Sequence, residues 1–135
     1  MADERRQTQA ISKAELSRFC WVDLATTDQA AAKAFYGALF GWSVSDQVVR
    51  EVQFSQFGER GTHFASHYQQ TREQIADGVP SHWTPYVAVP NLQAAAVKAA
   101  GLGGQIVVPP QDVAGFARIC LIADPTGALF GLWQA

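Results

Sequence analysis

Few side chains in this 135-residue sequence are placed to do acid–base or metal chemistry. They are three histidines, His63, His67 and His82, two cysteines, Cys20 and Cys120, and Asp23, a carboxylate set inside the run FCWVDLAT. His63 and His67 lie four apart in the strand-like run THFASHYQ, which separates them by ~13 Å at ~3.3 Å per residue, too far to share one ion directly. A site of His63 or His67 with His82 and Asp23 stays within reach of that limit. Burying Asp23 among rings is costly unless Arg118, a histidine or a ligand pairs with it. Left unpaired, its pKa rises and it suits a general base. The cysteines show no zinc-knuckle or redox spacing and read as buried reduced thiols, packing as small hydrophobes. Gly101, Gly103 and Gly104 end a helix, whereas phosphate binding needs a helix start. No serine or cysteine occupies a nucleophile elbow.

The elements that position these residues follow from capping and periodicity. Thr27 and Asp28 cap a helix in TDQAAAKAFYGALFGW, where Ala31, Phe35 and Leu39 form an apolar stripe expected to press on a sheet, and Gly41 stops it. Phe19 to Thr26 alternates as a strand, and Trp42 to Val49 reads as another. VQFSQFG and THFASHYQ make a hairpin across Gly58 to Gly61. Residues 69–81 are polar and aperiodic, as a linker is. WTPYVAVP is again strand-like, Asn91 caps a second helix, NLQAAAVKAAG, and a strand QIVV is expected to halt at Pro109 and Pro110. FARICLIA, the turn ADPTGA and ALFGLWQ follow. Residues 1–17 read as a polar arm with a weak helical pattern over Ile11 to Leu16.

Length and composition set the class. One domain of this size buries roughly two thirds of its unfolded surface, enough for a core. The hydrophobic fraction of 48% with 16% charged describes a globular domain. A net charge of -2 with scattered Lys and Arg argues against nucleic acid. No apolar run approaches the ~20 residues of a membrane span, and the polar start lacks a signal-peptide core, so the cytoplasm is the expected compartment.

The chain repeats itself. The shift of 63 residues that carries Asp28 onto Asn91 also carries Leu39 onto Leu102, Gly41 onto Gly104, Val44 onto Val107 and Leu24 onto Val87. The closing hairpins align at a shift of 66, Gly61 onto Gly127 and Ala65 onto Gly131. The expected fold is therefore α+β: two tandem βαβββ modules, 18–68 and 82–135, forming one domain over 18–135 in which a curved mixed sheet surrounds a concave cup.

With WVDLATTD, FYGALFGW and ADPTGALFGLWQ on the page, the chain resembles the vicinal oxygen chelate superfamily, which contains glyoxalase I, extradiol dioxygenases and bleomycin-resistance proteins. The likeness runs from Phe19 to Gln134 and is nearest to glyoxalase-like bacterial proteins. It implies a divalent ion held by His, Glu or Gln from the first and last strand of each module. Counting from the caps and the DPTG turn puts those positions at Trp21, Ala65, Thr84 and Gly131. None is a good ligand: the indole nitrogen carries its proton, Ala and Gly have no donor atom, and a neutral Thr hydroxyl binds weakly. The expectation is a cup without the usual metal and with no cofactor.

Strand alternation from those four positions lines the cup with Phe19, Trp21 and Asp23; His63, Ala65 and His67; His82, Thr84 and Tyr86; and Leu129, Gly131 and Trp133. Trp21, Tyr86 and Trp133 would stack on a small aromatic or hydrophobic ligand, with Asp23, His63, His67, His82 and Thr84 around its polar edge. Two further readings stay open. One is a glyoxalase-, lyase- or dioxygenase-type enzyme using one divalent ion at a displaced site, or Asp23 as catalytic base. The other is an interaction protein that forms a homodimer and carries a vestigial cup.

Overall fold

The computed structural model describes residues 16–49, 52–113 and 117–135. The arm expected over 1–17, with its weak helix, lies outside the described residues except for Leu16 and Ser17. The first module is β1 (Phe19–Thr26), α1 (Gln29–Phe40), β2 (Ser43–Val49), β3 (Val52–Glu59) and β4 (Thr62–Gln69). After α2 (Arg72–Ala76), the second is β5 (His82–Ala88), α3 (Leu92–Gly101), β6 (Gln105–Val113), β7 (Ala117–Ala123) and β8 (Leu129–Gln134). The fold is thus α+β with two βαβββ modules, as the repeat implies. Within the modules the hydrogen-bonded strand orders are β2-β3-β4-β1 and β5-β8-β7-β6. Within each module the last strand runs parallel to the first, pairing Val22 with Ala65 and Tyr86 with Gly131.

The caps form as the residue types dictate. Asp28 accepts from the Ala31 amide at 3.0 Å and Asn91 from Ala94 at 2.9 Å. Gly41 closes α1 in the left-handed region, at φ 74°. The face that α1 turns inward differs from expectation, however. Ala31, Phe35 and Leu39 are exposed, while Gln29, Ala32, Lys33, Tyr36 and Gly37 are half-buried. Tyr36 explains the rotation. Its ring stacks on Trp42 (5.7 Å, 14°), meets Phe57 edge-on at 5.7 Å, and its hydroxyl accepts from Trp83 Nε1 at 3.2 Å. That combination of ring packing and a satisfied hydroxyl is open to Tyr36 and not to Phe35. As a result, every exposed residue of α1 is apolar, from Ala30 to Phe40.

The stretch 69–81 between the modules carries a short helix, where Thr71 and Gln74 form a reciprocal capping box that starts α2. One more expectation needs correction: the sixth strand does not halt at its prolines, since β6 runs through Pro109 and Pro110 to Val113. It is the last strand in the order, and its register shifts beside the prolines, so their missing amides break no obligatory ladder bond.

Two compact units divide the chain. In the unit Val22–Trp83, Leu24, Phe57 and Ala65 form the core, with Ala32, Tyr36 and Trp42 packed against it. The unit of Thr84–Ala135, which includes the chain up to Trp21, has a cluster on each sheet face. Leu92, Ala96, Cys120, Ile122 and Leu132 pack beneath α3, and Trp21, Tyr86, Ala117 and Trp133 form the other cluster. Cys20 is half-buried and Cys120 fully buried. No described helix is long and apolar enough to cross a membrane.

Candidate functional site

In the second module, alternation along β7 and β8 sends Cys120, Ile122 and Leu132 to α3 and leaves Ala117, Gly131 and Trp133 on the opposite face. Tyr86 lies there too, opposite Gly131 in the ladder. Trp21 and Trp133 meet at 5.5 Å with planes tilted by 33°, and Tyr86 stands edge-on to Trp133 at 6.1 Å. Tyr86 lies directly against Gly131: a Cβ built on that glycine would come 2.3 Å from two carbons of the ring. Thus Trp21, Tyr86, Gly131 and Trp133 share one face, as alternation predicts. The rings are packed on one another, each less than a tenth exposed, and Thr84 is buried as well.

The first module holds the polar part. Ser66 Oγ donates to Asp23 Oδ1 at 2.6 Å, because β1 and β4 pair Asp23 with Ser66. Burial raises the Asp23 carboxyl above its ordinary pKa, and the Ser66 hydrogen bond and nearby His82 oppose that rise only in part. His82 Nδ1 lies 2.8 Å from the Pro80 carbonyl, which can only accept. Nδ1 therefore carries a hydrogen and donates to that carbonyl. Tyr68, whose phenol is also pushed up by burial, is hydrogen-bonded with Gln74 and feels the Asp23 charge. Arg118, expected as a partner for Asp23, bonds instead to Asp112 at 3.3 Å.

His67 and Ala65 are not beside Asp23. Ala65 belongs to the core cluster with Leu24 and Phe57. His67, without any exposure, lies under Phe57 (4.3 Å between ring centres), and its Nδ1 is 2.9 Å from Gln29 Nε2 of α1. Gln29 also donates to Ser55, and Ser55 donates to Asp46. His63, half-buried, has its ring close to Gly58, where a Cβ would come 2.7 Å from it. The cause of the misplacement is a one-residue slip, which flips every side chain of a strand. The first hairpin turns on two residues, Arg60 and Gly61, both at positive φ, whereas five residues, Asp124 to Ala128, separate the paired Ala123 and Leu129. Superposing Gly61 on Gly127 therefore equates unlike positions. The observed ladders equate Ser66, not Ala65, with Gly131. Ser66, Tyr68 and Gln56, which is buried and paired with Ser66, were the residues missed. Equating the parallel pairs rather than the turn glycines would have found them.

A family model for the Glyoxalase/Bleomycin resistance protein/Dioxygenase superfamily matches residues 18–132. The chain belongs to this superfamily. It is 40% identical over 123 residues to CFP32, a proposed glyoxylase of Mycobacterium bovis, covering 85% of this chain and 44% of that protein. It is 34% identical over 127 residues to the anthracycline biosynthesis protein DnrV of Streptomyces peucetius, covering 84% and 46%. The chain thus spans less than half the length of these curated relatives. Its fold is similar to that of Streptomyces coelicolor methylmalonyl-CoA epimerase in complex with 2-nitronate-propionyl-CoA (TM-score 0.64, 21% identity, covering 89% and 98%). It is also similar to a hypothetical protein of Bacillus halodurans (TM-score 0.66, 11% identity, covering 87% and 94%).

The superfamily resemblance implies a divalent ion, so the residues at its four positions can be tested for fit. With Ser66 in place of Ala65, the set is Trp21, Ser66, Thr84 and Gly131. It offers two neutral hydroxyls, one N–H donor and no carboxylate or imidazole, and Ser66 Oγ already donates to Asp23. The space of a fourth ligand at Gly131 is taken by Tyr86. These residues do not fit the ion. Among the described residues, no three of His, Cys, Asp and Glu group as metal ligands.

One consequence concerns Gly131. Gly131→Ala is expected to cost about 2 kcal/mol, as overpacking in a tight cluster does, because the methyl needs the place of the Tyr86 ring. In Gly131→Ala made on a Tyr86→Ala background the penalty should largely vanish, which urea unfolding of all four proteins measures.

Proposed function

We propose that this chain binds a small, flat, aromatic or hydrophobic molecule without the metal usual in its superfamily, at the rings of Trp21, Tyr86 and Trp133. The observation that carries this reading is the packing of Tyr86 over Gly131, beside Trp21 and Trp133, where a fourth metal ligand would stand. Rings supply contact area at low entropic cost, and Asp23, hydrogen-bonded by Ser66, is a candidate for polar contact. His82, Thr84 and Tyr68 are the further candidates for polar contact; the surroundings of His67 and His63 favour structural roles for both. A relative named for anthracycline biosynthesis and fold neighbours carrying a CoA ester are in keeping with a small-molecule role. The test is a tryptophan-fluorescence titration with a library of small aromatic molecules in excess chelator. Saturable quenching unaffected by the chelator is the expected result, and no response to any compound would sink the reading.

The raised Asp23 carboxyl, hydrogen-bonded by Ser66, favours a second reading, a lyase- or isomerase-type enzyme in which Asp23 is the base. If so, Asp23→Asn should leave ligand binding within about threefold while abolishing exchange of a substrate hydrogen with heavy water. Exchange that persists in Asp23→Asn would remove Asp23 from the chemistry.

The wholly apolar outer side of α1 favours self-association, since an uncharged face can meet its own copy without like-charge repulsion. Light scattering should give a dimer mass, and the double change Phe35→Glu and Leu39→Glu should give a monomer. A monomer mass for the unaltered chain would exclude it.

A further inference from the structure

The indole nitrogen of Trp133 is fully enclosed and has no hydrogen-bond acceptor. A buried donor in that state is destabilising, and buried indole N–H groups ordinarily find a partner. The apolar side chains around it are Trp21, Tyr86 and Ala117, flanked by Cys20, Ile119 and Leu121. In the same cluster one flat ring, that of Tyr86, lies against the bare backbone of Gly131. An unanswered donor among apolar side chains, and a ring standing where any side chain at 131 would be, point to a binding subsite filled by one of the chain's own side chains.

We propose that the slot over Gly131 takes a flat, uncharged ring system bearing a carbonyl-type acceptor oxygen. The ligand replaces the Tyr86 ring against Gly131 and accepts from Trp133 Nε1. The inference rests on the small-molecule reading above and goes further by naming the ligand class, the donor and the ring that has to move. The chemistry selects this class. An ionised ligand would be desolvated among apolar side chains, a cation could not accept from the indole N–H, and a hydrocarbon would leave the Trp133 donor unanswered. A ketone, quinone or lactone oxygen answers it at no charge cost. The glycine at 131 fits the same account, because any side chain there would close the slot to both Tyr86 and ligand.

The probes are 9-fluorenone and fluorene, two flat tricyclic molecules that differ by the carbonyl oxygen. Equilibrium dialysis should show fluorenone bound about tenfold more tightly by the unaltered chain, as expected for one satisfied buried donor. Trp133→Phe keeps a ring and loses the donor, and should bring the two probes within about twofold. Tyr86→Ala should bind both more tightly, because no ring has to be displaced. Independently of any variant, the Trp133 Nε1–H resonance should move downfield with fluorenone and not with fluorene. Equal binding of the two probes by the unaltered chain overturns this inference and leaves the small-molecule reading standing. So does a fluorenone preference that survives in Trp133→Phe, or a Trp133 resonance that ignores fluorenone. Failure of both probes to bind even Tyr86→Ala overturns the inference, and the library titration then decides the broader reading separately.

Discussion

Replacing Phe57 by alanine is expected to destabilise the protein by about 3–5 kcal/mol, the range for deleting a fully buried ring that its neighbours cannot close over. Phe57 has no exposure and touches Tyr36, Trp42, His67 and Trp83, with ring centres 5.7, 5.4, 4.3 and 6.5 Å away. Tyr36 and Trp42 are already stacked on each other, so neither can move into the hole without giving up that contact. A native domain holds about 5–15 kcal/mol in all, which makes this one substitution a large share of the total. Urea unfolding measures it; a loss below about 1 kcal/mol would show that the first module's core is not organised around Phe57.

Stability should also fall as pH drops from about 6.5 to about 4, by about 3 kcal/mol, because of His67. Burial pushes its pKa from 6.5 down to about 4, with the nearby Lys33 charge acting in the same direction and Asp46 against it. The folded state therefore holds His67 neutral while the unfolded chain takes up a proton below 6.5. The contribution is full above that pH, shrinks through the window and levels off below about 4. Asp23, whose folded pKa is raised, works in the opposite sense, since its penalty is relieved as pH falls. The informative quantity is thus the difference between the unaltered chain and His67→Gln. A difference curve flat between pH 4 and pH 6.5 would contradict the buried, neutral state of His67. Phe57 and His67 are in contact, so their effects should not add: Phe57→Ala admits water to the imidazole and should flatten the His67 slope.

Much of this was legible because it is written in local signals. Asp28, Asn91 and Gly41 mark helix ends by their side-chain chemistry or left-handed backbone, and the 63-residue shift between the caps identified the duplicated module. The shared face of Tyr86, Gly131 and Trp133 was legible too, since these residues follow strand alternation from a well-marked turn at Asp124. The rest depended on tertiary choices. The register of β4, set by the Arg60–Gly61 turn together with the shift between Phe57 and Gly58, decided whether His67 or Ser66 would stand beside Asp23, and a slip of a single residue reverses that answer. The inward face of α1 depended on which aromatic could satisfy both ring contacts and a hydroxyl, a choice that periodicity alone does not make. Pro109 and Pro110 were misread as a stop because nothing local marks an edge strand.

The central claim is that the second module's rings occupy the place where this superfamily would put an ion. The direct measurement is the metal content of protein taken from cells without chelator and dialysed against metal-free buffer. Substoichiometric metal, with aromatic binding unchanged after chelation, is the predicted result. One tightly held divalent ion per chain, lost together with ligand binding on chelation, would contradict the account.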